Sequence, residues 1–244
     1  MADAHMRLAA EGAVASVTIA RPEKLNAVDI DMLKALAAIC DEVEAMIDVR
    51  AVVLTGEGRA FSAGGDIKAW GAMQANEFGH AWVRFGHRVF ERLATLRMPV
   101  IAALNGHALG GGLELAAAAD FRIAEQNIRI GLPETGLGMI PGVRRMVLGG
   151  ETFSAEEALK YGLVDAVVDS GAAVIEAKAY AARVATRGPA AVEISKLMIA
   201  VANGEDNGSA VEALGSILAA KTGDLKEGVA AFSQKRAAVF KGEW

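Results

Sequence analysis

Three consecutive glycines, Gly110, Gly111 and Gly112, stand between an apolar strand-like run and the apolar stretch Leu113-Glu114-Leu115-Ala116. Glycine loses more backbone freedom on folding than any other residue, so three in a row require close approach or unusual dihedrals. The residues after them read as a helix whose first turn carries one charge, Glu114. A helix start offers free N–H groups and the positive end of a dipole. The stretch therefore predicts backbone N–H groups facing a negatively charged atom, with a carboxylate one turn away.

The chain has 244 residues, of which 53% are hydrophobic, enough for one large core or one domain with an appendage. No run approaches the roughly 20 apolar residues of a membrane span. A net charge of -5 gives no electrostatic case for nucleic acid, although a local field can still hold an anion. The single cysteine, Cys40, excludes an intrachain disulfide and is expected to pack in the core. The first residues lack both an apolar core and an Arg-rich amphipathic stretch, so no signal or transit peptide and a cytoplasmic location are expected.

In chain order, Ala13–Ala20 reads as a strand and Arg21–Ala27 as a loop. Asp29 or Asp31 is positioned to cap a helix carrying Leu33, Leu36, Cys40, Val43 and Ile47 on one face. Ala51–Thr55 reads as a buried strand, followed by a Gly-rich loop ending Ser62-Ala63-Gly64-Gly65-Asp66. A helix is predicted from Glu77 to Leu96, with Trp82, Phe85, Val89, Leu93 and Leu96 inward. His80 and His87 on that helix read as surface or packing residues, without metal-ligand partners. Pro99–Leu104, Phe121–Ala124, Ile128–Ile130 and Leu163–Val168 read as strands. Gly131–Gly142 is too rich in Gly and Pro to be regular. Ser154 with Glu157 has the spacing of a capping box. Helices follow from Ala172, giving a strand–loop–helix body over 1–186 and an all-helical region over 187–244. The body repeats the order strand, strand, helix.

Two Gly-rich loops thus follow buried strands. A pair of outward N–H donors forms an oxyanion hole, which polarises a carbonyl and holds the charge that develops on its oxygen. Two carboxylates accompany them. Glu114 sits among leucines and alanines, where desolvation raises a carboxylate pKa towards the range useful in proton transfer. Glu134 lies in a Pro-Glu turn of a loop, a common home for functional groups. Each signal has a plain structural explanation when taken singly: a first-turn Glu favours the dipole, and a loop Glu is ordinarily solvated. No GxGxxG is completed at Gly110, because Leu115 occupies the last position. A P-loop, a Gly-x-Ser-x-Gly elbow and a zinc set are likewise absent from the sequence.

The combination resembles the enoyl-CoA hydratase/isomerase, or crotonase, superfamily over nearly the whole chain. The resemblance runs through Arg21-Pro22 with Leu25-Asn26-Ala27, Phe61–Ile67, Pro99–Gly106 with Gly110–Leu115, and Pro133-Glu134 with Gly136-Leu137-Gly138 and Pro141-Gly142. It continues through Gly162-Leu163-Val164 to Glu227-Gly228 and Lys235-Arg236. It implies an α/β fold, a spiral of ββα units with a C-terminal helical trimerisation region, assembled as a homotrimer or a dimer of trimers. The ligand would be an acyl-CoA thioester, with no separate cofactor, metal, nucleic acid or membrane partner. Carried over by position, the oxyanion donors are the N–H groups of Gly65 and Gly111, and the catalytic carboxylates are Glu114 and Glu134. Lys24, Leu25 and Ala27 in the first loop, Ala63, Gly64, Gly65, Asp66 and Ile67 in the second, and Gly111 would line the substrate. Arg21, Lys24 or a neighbouring subunit's Lys235 could meet the phosphates.

With glutamate at both acidic positions, the implied reaction is syn addition of water to a 2-trans-enoyl-CoA. The alternatives are a Δ3,Δ2-enoyl-CoA isomerase, which needs one base, and a non-catalytic acyl-CoA-binding subunit. One departure stands out. After Pro141-Gly142 the family usually carries a helix-length piece that has no counterpart before Val143, and residues are expected to be missing at that junction.

Overall fold

The computed structural model describes residues 5–71, 73–133, 149–205 and 208–242. Residues 1–189 and 190–244 form two compact units.

The first unit begins with a hairpin, β1 (Met6–Glu11) and β2 (Val14–Ile19), turning at Gly12 with φ +58. Asp29 then caps α1 (Ile30–Ala45), its side chain accepting from the Met32 N–H. Two strands follow, β3 (Ala51–Gly56) and the short β4 (Ala60–Ser62), then the short helix α2 (Ile67–Trp70). A helical run leads through a π-helical turn, Phe78–Arg84, into α3 (Phe85–Ala94). The pattern repeats with β5 (Val100–Leu104), β6 (His107–Leu109) and α4 (Gly111–Ala117), and then with β7 (Phe121–Glu125) and β8 (Arg129–Gly131). Beyond the undescribed stretch come β9 (Thr152–Ser154), α5 (Ala155–Lys160), β10 (Ala166–Val168) and α6 (Ala173–Ala185).

In each of the pairs β3/β4, β5/β6 and β7/β8, the first strand joins one sheet and the second joins another. The larger sheet has the order β1-β2-β3-β5-β7-β10, the smaller β4-β6-β8-β9. From β2 to β10 the larger sheet is parallel. Parallel strands covered on both faces read as unbroken apolar runs, and β3 and β5 are buried at every position. On one face Val52, Leu54, Val100 and Leu104 belong to the same core as Leu33, Leu36, Cys40 and Val43 of α1 and Val89 and Leu93 of α3. On the other, Ala173, Ala177 and Ala181 present a smooth stripe of α6 to Val53, Ile101 and Ala103. The repeating strand–strand–helix order and the core position of Cys40 agree with the sequence reading.

Some boundaries differ for local reasons. Met46 is extended (φ -78, ψ 91), so α1 ends before Ile47, which is 77% exposed and off the predicted face. The helix predicted from Glu77 is interrupted by the π-helical turn. Leu163 caps α5 rather than opening a strand: Gly162 takes φ +72, and the Leu163 N–H donates to the Ala158 carbonyl at 2.8 Å. The Ser154–Glu157 capping box forms as the spacing predicts.

The second unit contains all of α7 (Pro189–Ala202) but its first residue, together with α8 (Ser209–Ala220) and α9 (Gly223–Ser233). The Arg236 guanidinium meets both oxygens of Glu227, at 2.5 and 2.8 Å, and folds the following residues back along α9.

Candidate active site

The site is assembled by the smaller sheet. β4 and β6 run parallel, with Ser62 opposite Ala108. Three residues further on each chain lie Gly65 and Gly111, so the register brings the two predicted donors side by side. A Cβ built on Gly111 would stand 3.7 Å from the Gly65 nitrogen and 3.8 Å from Glu114 Oε2. Gly65, Gly111 and Glu114 therefore converge on one small volume.

Each glycine serves this approach differently. Gly110 has φ 54 and ψ -132, a conformation essentially confined to glycine, and it turns the chain from β6 into α4. Gly64 has φ +99, and a Cβ there would lie 2.9 Å from the Leu109 carbonyl oxygen. Gly112 allows α4 to press against β4, since a Cβ would meet the Ser62 carbonyl oxygen at 2.4 Å. Among the described residues, neither the Gly65 nor the Gly111 N–H has an acceptor. Gly111 is the first residue of α4, where N–H groups have no partner inside the helix. Residues three apart share a helix face, which carries the Glu114 carboxylate back over that start. The atoms packed around the carboxyl push its pKa above the usual value of 4.5, and the nearby charge of His87 pulls it partly down.

The loop before α1 clamps the first donor strand. Leu25 and Asn26 both adopt left-handed dihedrals, φ 52 and 57. Buried Asn26 holds the turn by accepting from the Arg21 N–H and donating to the carbonyls of Glu57 and Ala60. Ala63 N–H donates to Leu25 O at 3.0 Å, and Ser62 Oγ to Asn26 O at 2.8 Å. Val28 and Gly65 form a parallel bridge.

The structure groups Lys24, Leu25, Ala27, Ala63, Gly64, Asp66 and Ile67 around this bridge, yet one side chain turns elsewhere than expected. The Arg21 side chain is only 10% exposed and lies against Asp66 and Asp29, so it does not face solvent for a phosphate. The Asp66 carboxylate is buried against Arg21 and Lys24, and it caps α2 through the Lys68 and Ala69 N–H groups. Two contacts at the site arise between separate elements. The indoles of Trp70 and Trp82 close on Gly65, where a Cβ would meet them at 2.7 and 2.8 Å. His87, read as a surface or packing residue, influences Glu114 from another helix. Neither has a sequence signal, because each pairing depends on how separate elements meet. Glu134, Gly142 and Val143 lie outside the described residues. Among the described residues, no group of three or more His, Cys, Asp or Glu side chains could hold a metal ion.

The family model described as enoyl-CoA hydratase/isomerase matches residues 9–243. The chain is 39% identical over 246 residues to a short-chain-enoyl-CoA hydratase of Clostridium acetobutylicum, covering 93% of each chain. It is 37% identical over 267 residues to a crotonyl-CoA hydratase of Syntrophomonas wolfei, covering 98% of this chain and 99% of that one. The structure of an enoyl-CoA hydratase from Bacillus anthracis superposes with a TM-score of 0.80 at 34% identity, covering 98% of this chain and 100% of that one. An alignment of 246 residues that takes in 93% of a 244-residue chain leaves positions of the Clostridium protein with no counterpart here.

Proposed function

Because this chain belongs to the enoyl-CoA hydratase/isomerase family, we propose that the Gly65 and Gly111 N–H groups and the Glu114 carboxylate form the machinery of its hydratase activity. The reaction is addition of water across the double bond of a 2-trans-enoyl-CoA, giving a 3-hydroxyacyl-CoA. The observation that carries the site assignment is the convergence of Gly65 N, Gly111 and Glu114 Oε2 about one point.

The thioester oxygen accepts from both glycine N–H groups. As water adds at the β-carbon, electron density moves onto that oxygen, and the two donors hold the developing enolate. Removing one such donor typically costs roughly 3–4 kcal/mol of transition-state stabilisation. Glu114 helps to hold the water and takes its proton as the C–O bond forms. The second carboxylate, Glu134, delivers a proton to the α-carbon. Its assignment rests on the sequence, where it follows Pro133 at the end of the third strand pair. That order is the one in which Gly65 and Gly111 follow the first and second pairs. No separate cofactor enters this scheme, since CoA is part of the substrate. The first loop, Lys24 to Val28, and the backbone of Ala63 to Gly65 would hold the CoA portion, and a homotrimer or dimer of trimers would be the working assembly.

The test is incubation with crotonyl-CoA, following loss of the conjugated enoyl absorbance. Glu114→Gln and Glu134→Gln are each expected to lower kcat by about 10²–10⁴, the usual worth of a positioned acid or base, while CoA binding persists. A wild-type chain that leaves the chromophore intact, or variants of unchanged rate, would refute the assignment.

A further inference from the structure

Asp66 places a carboxylate one residue beyond an oxyanion donor. There an uncompensated negative charge would oppose the enolate that the donor must stabilise. The side chain is nevertheless only 6% exposed, and its charge is met from the side of the first loop. Asp66 Oδ2 lies 3.0 Å from Arg21 Nη1 in an ion pair and accepts a hydrogen bond from Lys24 Nζ at 2.9 Å. Arg21 Nη1 also lies 3.1 Å from Asp29 Oδ2 and donates to the Ala27 carbonyl at 3.0 Å. One guanidinium thus ties the strand end after β4 to both sides of the loop that carries Val28.

That tie bears on the direction of the Gly65 N–H. The peptide between Gly64 and Gly65 is planar and trans, so its C=O and N–H point in opposite directions. Its carbonyl accepts from the Val28 N–H at 2.8 Å, and the Asp66 N–H donates to the Val28 carbonyl at 2.8 Å. Wherever Val28 is held, the Gly64 carbonyl is held, and the Gly65 N–H is aimed to the opposite side, towards α4. We infer that the buried Arg21–Asp66 pair is the positioning element of the oxyanion hole, fixing the Gly65 N–H without touching substrate. The inference rests on the hydratase reading in which Gly65 is a donor.

Arg21→Met and Asp66→Asn test it. Misplacing a reacting group by about 1 Å can cost roughly 100-fold, so kcat for crotonyl-CoA is expected to fall roughly 10- to 100-fold. Since the donor acts mainly on the transition state, KM should stay within about threefold of wild type. Arg21→Lys, which keeps the charge, should recover part of kcat. The diagnostic readout is the thioester carbonyl stretch of bound enoyl-CoA in isotope-edited difference infrared spectra. It should move back towards its solution frequency in step with kcat. Asp66→Asn is nearly isosteric and keeps an oxygen for the α2 cap, so it carries the test if Arg21→Met does not fold. A wild-type kcat in Asp66→Asn, or a lowered kcat with an unmoved carbonyl stretch, overturns the positioning role. A wild-type enzyme that does not hydrate crotonyl-CoA overturns the hydratase reading instead.

Discussion

Glu114 shows how one residue carries opposed demands. A base that takes a proton from water must be ionised, while the packing around its carboxyl favours the neutral form. The acid limb of kcat/KM should therefore have its midpoint above the ordinary glutamate value of 4.5. The linkage to stability has a definite sign. With its pKa raised in the folded state, the group's stabilising contribution is complete below the unfolded pKa and is lost as pH rises through the folded one. Glu114 is nevertheless exposed as a residue, so solvent screens much of this cost and the ionised carboxylate is only a small liability to the fold at neutral pH. Glu114→Gln is expected to unfold at a higher urea concentration than wild type at pH 7. That advantage should vanish below about pH 4, where wild type is protonated too. A variant less stable than wild type at pH 7 would contradict the desolvation account.

At the level of elements, the decisive feature is the register of the smaller sheet, which the sequence conceals. β4, β6 and β8 have three residues each, too few for alternation to show. They pair with one another rather than with their sequence neighbours β3, β5 and β7. The long buried strands, the helix periods, the Ser154 capping box and the glycines were legible because their signals are local. The edge strand β1 was not, being mostly exposed and partnered, among the described strands, only by β2. At the site, Gly65, Gly111 and Glu114 were legible through composition and resemblance. The burial of Arg21 and Asp66 was not, since it arises between segments more than 40 residues apart. Gly112 shows how tightly the elements meet. Its missing Cβ would lie 2.4 Å from the Ser62 carbonyl oxygen and 2.9 Å from the Ser62 carbonyl carbon, both backbone atoms. Gly112→Ala must push α4 away from the end of β4 and so separate the two donors. Overpacking of this kind costs about 1–3 kcal/mol in unfolding free energy. The accompanying loss of kcat should approach the 10²–10³ of a missing oxyanion donor, to order of magnitude. Full activity in Gly112→Ala would mean that the spacing of β4 and α4 does not set the donor geometry.

At the scale of the whole molecule, the unit of residues 190–244 exposes too much apolar surface to be explained by its own packing. No described residue of α7 is fully buried, although the helix carries Val192, Ile194, Leu197, Met198 and Ile199. Along α8 and α9, Leu218, Leu225 and Val229 are exposed, and Phe232 reaches 87%. Phe240, 62% exposed, joins Leu225, Val229 and Phe232 around an open pocket of about 500 Å³. The residues leading to Phe240 are anchored by the Arg236–Glu227 pair, whose hydrogen bonds hold the Glu227 carboxyl down to about 2. A large, ordered apolar face on a water-exposed unit marks an interaction surface. The proposed trimer or dimer of trimers supplies a partner of matching chemistry in another copy of the chain. Phe232→Glu places a charge at the most exposed point of that face, and burying it unpaired in an interface would be costly. In sedimentation velocity the wild type is expected to run as a trimer or hexamer and the variant as smaller species. Because association stabilises only the folded chain, the wild-type Tm should rise with protein concentration and the variant's should not. A wild type that sediments as a monomer, or a variant that assembles as the wild type does, would show that this face has another use.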